Sequence, residues 1–171
     1  DAVEIEADDA EQAVENVQSS PWASKVHVTH TAIQNFQPGH QYDLIVTNPP
    51  YFINSWPPAE KKRGQARHTH TLSFDELLQS VKRLLKKEGT LALILPYQEA
   101  VQFIQQAHFH QLYCIRELVV RSRKEKPVER LLLEFGEKPA PIDREELILH
   151  ADNNEWSERY RNLTRDFYLK I

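Results

Sequence analysis

The sequence predicts an α/β fold of the doubly wound type, closed by an antiparallel hairpin, and three observations support that expectation. Two apolar runs, YDLIVT at 42–47 and TLALILP at 90–96, have too few polar positions for one face to be wet. That is the pattern of strands in the middle of a parallel sheet. Segments with helical spacing alternate with the strand-like ones. Finally, CIRELVVRS and ERLLLEF are strand-like runs joined by the charged turn RKEKPVE, an antiparallel hairpin rather than another crossover.

In chain order, AVEI at 2–5 is a short buried strand. Asp8 is a cap for a helix reaching about Gln18, in which Ala10, Ala13, Val14 and Val17 share one side. SSPW breaks that helix, KVHVT at 25–29 alternates as a strand does, and QPGH is a turn. The 42–47 strand ends on Asn48-Pro49-Pro50-Tyr51, and a polar stretch rich in proline follows. Ser73 and Glu76 form a capping box that opens a helix with Leu77, Leu78, Val81, Leu84 and Leu85 in one stripe. Gly89 ends that unit before the 90–96 strand, and Glu99 to about His108 is helical. No repeat, low-complexity segment or domain boundary interrupts the chain, so residues 1–171 are expected to form a single domain.

The totals restrict the function classes. The chain of 171 residues is 40% hydrophobic and 27% charged, with no run near the ~18 apolar residues of a membrane span. Cys114 is its single cysteine, which excludes an internal disulfide and fits a cytoplasmic setting. Methionine is absent and the sequence opens directly on a strand, so the expectation is a chain shortened at its front, lacking a first strand and its glycine loop. A net charge of −4 hides an asymmetry: residues 1–20 hold seven acids and no Lys or Arg, and the remainder is slightly basic. Contact with a polyanion therefore has to be local.

Why should a buried strand end on an amide, two prolines and an aromatic ring? In an open parallel sheet, ligands bind beyond the carboxyl ends of the strands. Proline fixes φ near −65° and lacks an N–H, so such a loop is stiff and its carbonyls stay free to accept. An amide oxygen, a fixed carbonyl and an aromatic face suit a planar ring bearing an exocyclic amino group. The Asn48 oxygen and the Pro49 carbonyl would bind both hydrogens of that nitrogen, and Tyr51 would stack on the ring, worth roughly 1–3 kcal/mol. Aligning the nitrogen with a methyl donor supplies on the order of 7–11 kcal/mol without a metal or general base. The plainer alternative is a rigid turn whose Tyr51 covers a core edge. Glu4, at the end of the first strand, stands where nucleotide-binding α/β folds place a carboxylate for ribose hydroxyls; its alternative is one solvated acid among several.

Four stretches resemble one family. AVEIE with AEQAVENVQSSPW, YDLIVTNPPYF, QARHTHTLSFDELL and WSERYRNLTRDFYL are similar to the bacterial tRNA1(Val) (adenine-37-N6)-methyltransferases, within the N6-adenine methyltransferases that carry NPPY-type motifs. NPPY alone is shared with release-factor glutamine methyltransferases and DNA enzymes, whereas the other stretches are narrower signals. The resemblance implies a Rossmann-like methyltransferase fold, S-adenosylmethionine as donor and an adenine of tRNA as acceptor. By position it implies that Asn48, Pro49, Pro50 and Tyr51 hold the target adenine, that Glu4 binds the donor's ribose, and that Ile5 packs on the donor's adenine. Two departures stand out. The family's glycine-rich loop before Glu4 is absent from these residues, and HTAIQNF places Ala32 where an aspartate is common. Ala32 retains a backbone N–H for the donor's adenine. Residues 1–171 alone are therefore expected to bind donor poorly, an expectation that micromolar binding in calorimetry would refute.

For the RNA, Lys61, Lys62, Arg63 and Arg67 form a run with no acid among them, just after NPPY, and are expected to contact phosphates; their alternative is a solvated loop. The second basic group, Arg121, Arg123, Lys124, Lys126 and Arg130, is diluted by Glu125 and Glu129 and reads as a solvated hairpin tip. Trp56 is either a lid or a surface-packed ring. His68 and His70 lack partners at ligand spacing, so no metal is expected. With no G-x-S-x-G elbow and Cys114 inside a strand-like run, nucleophilic catalysis is rejected. Two rivals stay open: a protein glutamine methyltransferase, and a catalytically silent RNA-binding module.

Overall fold

The computed structural model describes residues 1–50 and 72–168. Strand β1 (Ala2–Glu4) leads to helix α1 (Ala7–Gln18) and to β2 (Val28–His30), which lies parallel to β1 with Glu4 opposite His30. A 3-10 turn, Ile33–Asn35, precedes β3 (Tyr42–Thr47). There follow α2 (Phe74–Leu84), β4 (Leu85–Pro96), α3 (Tyr97–Phe109), β5 (Tyr113–Arg121), β6 (Arg130–Gly136), β7 (Asp143–Ile148) and α4 (Glu158–Thr164). Among the described residues, β1 and β2 form one sheet and the other five strands a second, in the order β3-β4-β6-β5-β7. That second sheet is mixed: β3 runs parallel to β4, β5 parallel to β7, and β6 is antiparallel to both of its neighbours.

The alternation of β4 and β6 explains where the core sits. Leu91, Leu93 and Leu95 share a face with Leu131, Leu133 and Phe135, and all six are buried with α2 and α3 in one core. Phe103 of α3 is fully covered and meets Phe74 edge-on at 5.0 Å and Phe135 at 5.4 Å. Such edge-to-face pairs add to the stabilisation that burial gives. The capping box is present: the Ser73 hydroxyl accepts from the Glu76 N–H at 3.2 Å, and the Ser73 N–H donates to the Glu76 carboxylate at 2.9 Å.

Several expectations change. Among the described residues β3 pairs with β4 alone, and Leu44 and Val46 are 55% and 71% exposed along the gap between β3 and β1. Leu85 starts β4 instead of closing the helical stripe, and Gly89 lies inside that strand. A Cβ on Gly89 would fall 2.9 Å from the Tyr42 carbonyl, so glycine is what lets the irregular start of β4 approach β3. Asp8 does not cap α1. The Glu4 carboxylate takes the N–H groups of Ile5 and Glu6, at 2.7 and 2.9 Å, and Asp8 rides in the first turn. Lys25 and Val26 bond back to the Trp22 carbonyl, so the second strand begins only at Val28. The antiparallel hairpin is present as β5 and β6, but β7 and α4 are additions that the charged segment DREELI concealed. Among the described residues, no helix is long and apolar enough to cross a membrane.

Candidate active site

Strands β1 and β3 each have one edge that no described strand pairs, and a groove of about 520 Å³ is lined by residues of both. That volume is in the range of small-molecule and cofactor sites. Its walls include Glu4, Ile5, Ala32, Asn48, Pro49 and Pro50, so the structure brings together residues that lie up to 46 positions apart in the chain. Tyr51, the basic run Lys61, Lys62, Arg63 and Arg67, and Trp56, His68 and His70 lie outside the described residues.

Each wall residue is positioned by its strand end. Glu4 closes β1, and its carbonyl accepts from the Thr31 N–H at 2.9 Å, which fastens the β2 turn beside it. One carboxylate oxygen of Glu4, Oε1, is occupied by the two backbone N–H groups; among the described residues nothing bonds Oε2. Next to it Ile5 is 49% exposed, an apolar surface at the groove's rim. Ala32 enters the 3-10 turn with extended backbone, and its carbonyl accepts from Asn35 while its N–H has no described acceptor. The Arg83 guanidinium of α2 reaches this turn and donates to the carbonyls of Ile33, Gln34 and Phe36. Sequence reasoning missed that clamp, because nothing in an isolated arginine 47 to 50 residues downstream indicates its partners.

Across the groove, β3 delivers Asn48 and Pro50 exposed and Pro49 buried. No described group bonds the Asn48 amide or the Pro49 carbonyl, so both acceptors are available to a guest. At the other end the Tyr42 hydroxyl donates to the Asp1 carboxylate, tying β3 to the start of β1, and burial pushes the Tyr42 phenol upward. Cys114 is far from this chemistry in kind. Burial first, then the nearby Glu117 charge, push its thiol up to about 11. A thiol so protonated is no nucleophile at neutral pH.

Comparisons with known proteins bear on what this groove belongs to. Residues 2–117 match the Eco57I restriction-modification methylase family. Over the whole chain and 73% of the relative, the sequence is 38% identical to the tRNA1(Val) (adenine(37)-N6)-methyltransferase of Parabacteroides distasonis. Over 99% of the chain and 72% of the relative, it is 42% identical to the enzyme of the same name from Photobacterium profundum. The chain belongs to this methyltransferase family. Solved structures agree on the fold. A predicted O-methyltransferase of Agrobacterium tumefaciens superposes with a TM-score of 0.68 over 95% of this chain and 75% of its own, at 14% identity. A glycopeptide N-methyltransferase complexed with S-adenosyl-L-methionine gives 0.57 over 79% and 75%, at 11% identity. The α/β methyltransferase architecture is thereby shared with chains that have almost no sequence in common with this one.

Proposed function

We propose that this methyltransferase transfers a methyl group from S-adenosylmethionine to the N6 nitrogen of adenine 37 in tRNA1(Val), and that it works in the cytoplasm. The observation that supports the reading is a single groove holding Glu4, Ile5 and Ala32 on one side and Asn48-Pro49-Pro50 on the other. The residues present fit the donor's nucleoside end. Oε2 of Glu4 is open to a ribose hydroxyl, the exposed Ile5 to an adenine face, and the Ala32 N–H to a ring nitrogen. The donor, when bound, supplies an electrophilic methyl on a sulfonium.

This chain's own residues then act on the acceptor. The Asn48 amide oxygen and the Pro49 carbonyl accept the two N6 hydrogens, drawing the nitrogen out of conjugation with the ring and freeing its lone pair. Pro49 and Pro50 keep those acceptors stiff, so alignment is not lost to loop motion. Tyr51 stacks on the adenine, which leaves the anticodon loop's stack to enter the groove. Lys61, Lys62, Arg63 and Arg67 hold phosphates beside it. Transfer of labelled methyl by the full-length protein to tRNA lacking the modification, but not to purified release factor, is the expected result. Label on release factor instead would overturn the choice of acceptor, and no label on either would overturn the activity.

A further inference from the structure

We propose that the tip joining β5 to β6, with Arg123, Lys124 and Lys126, is a second contact for the phosphate backbone of the RNA. The inference rests on the proposed acceptor being tRNA, since it says how the rest of that molecule is held. In the sequence this tip reads as merely solvated; its place in the fold argues otherwise. β4 runs parallel to β3, and β5, antiparallel to β6, points the same way, so the tip and Asn48 lie at one end of the sheet. Thr47 is level with Leu93, Leu133 and Glu117, so Arg130 and Val120, at the base of the tip, lie three residues further in the direction in which Asn48 leaves β3. With strands ~4.8 Å apart, β6 and β5 stand roughly 10 and 15 Å from β3.

The tip is also built rather than loose. The Arg121 guanidinium donates to the Lys126 carbonyl at 2.6 Å and to the Glu146 carboxylate at 2.8 Å, and the Lys126 N–H donates to the Arg123 carbonyl at 3.1 Å. A second loop, between β7 and α4, is docked against it. The His150 N–H donates to the Ser122 carbonyl at 2.9 Å, and Arg123 donates to the Asn154 side chain. That loop is stiffened by His150 stacked on Trp156 at 4.3 Å. Two loops thus present one fixed surface.

Many of the described cations are ion-paired, Arg121 with Glu146 at the base of the tip among them, although Lys25 and Lys87 elsewhere are exposed without such a pair. Lys82, Lys86, Arg116, Lys138, Arg144 and Arg159 each meet a carboxylate. Lys124 and Lys126 are exposed, and among the described residues no acid pairs with either. Unneutralised lysines on a rigid tip are what phosphate contacts use to orient a nucleic acid. Glu125 and Glu129 on the tip, and Asp152 and Glu155 on the docked loop, lower the potential there.

The test measures binding of an unmodified tRNA transcript against salt concentration, together with methyl-transfer kinetics. The double variant Lys124→Gln/Lys126→Gln is expected to lose on the order of tenfold in affinity. Its log-log salt slope should flatten by about 1.5, as two phosphate contacts require. KM for tRNA rises while kcat holds. The opposite variant, Glu125→Gln/Glu129→Gln, should bind tighter, which a misfolded tip would not do. Unchanged affinity and slope in the double variant, with wild-type transfer to tRNA intact, would overturn the tip and leave the function standing. Weaker binding at an unaltered slope would overturn it as well, since the loss would then not be one of charge. A wild-type protein that neither binds nor methylates tRNA would overturn the reading beneath it.

Discussion

Strands β3 and β4 are neighbours with similar compositions and opposite fates. YDLIVT and TLALIL are both apolar runs that suggest full burial, and they pair in parallel, Thr47 beside Leu93. In β4 the alternate leucines 91, 93 and 95 are sealed beneath α2 and α3. In β3, Leu44 and Val46 face outward next to the groove. Apolar composition therefore marks a strand that belongs in a sheet, whereas its burial is decided by which neighbours lie on either side. The covered strand carries the core, and the uncovered one ends in Asn48-Pro49 at the groove.

Shortening a core side chain should break the covered half first. Leu93→Ala or Phe103→Ala is expected to cost about 3–5 kcal/mol, read as a lower denaturation midpoint with unchanged slope. Next in size comes the other half. Asn48→Ala removes one acceptor for the N6 hydrogens, and methyl transfer to tRNA should fall roughly 10²–10³-fold, by analogy with loss of one oxyanion-hole donor. Its melting temperature should match the wild type, because the exposed amide bonds to no described group. A variant that lost stability and activity together would show that Asn48 serves the fold.

The same contrast sets what the sequence could reveal. Local rules were legible: the Ser73–Glu76 box, the helical stripe up to Leu84, the hairpin between 114 and 135, and the Asn48-Pro49-Pro50 exit are all matters of short-range chemistry. What failed depended on distant partners. No side chain caps α1, whose N-cap residue is Glu6; Asp8 falls in the first turn, and the Glu4 carboxylate holds the N–H groups of Ile5 and Glu6 just before the helix. Gly89 reads as a terminator until the Tyr42 carbonyl 2.9 Å from its missing Cβ is known. Strand β7 hides because an edge strand tolerates Asp143, Arg144, Glu145 and Glu146 in a row. The groove residues were legible one by one, but their meeting across the β1–β3 gap was not.

Smaller effects sharpen the comparison. Cys114 lies on the covered side, so labelling by iodoacetamide at pH 8 should be about 100-fold slower in the folded chain than in urea. A thiol at about 11 holds that much less thiolate than one at its ordinary value of 9.0. Because the fold favours the protonated thiol, its contribution is complete below pH 9 and is lost as pH rises towards 11. Cys114→Ser should lessen that alkaline loss, seen as a flatter stability profile between the two values. Ser73→Ala removes the cap of α2 and should cost about 1 kcal/mol, with no effect on donor or RNA affinity.

The smallest expected change is the most informative about β3. Val46→Ala deletes two methyl groups from a strand that, judged by its sequence, belongs to the core. Were Val46 buried as Leu93 is, the loss would be about 1–3 kcal/mol, through lost transfer free energy and a new cavity. At 71% exposure there is little to uncover and no cavity to leave, so the change should stay within ~0.5 kcal/mol. Urea denaturation of Val46→Ala beside Leu93→Ala compares the two strands directly. A loss above 1 kcal/mol at Val46 would mean that another element covers β3 in solution, and that the groove is narrower than its walls indicate.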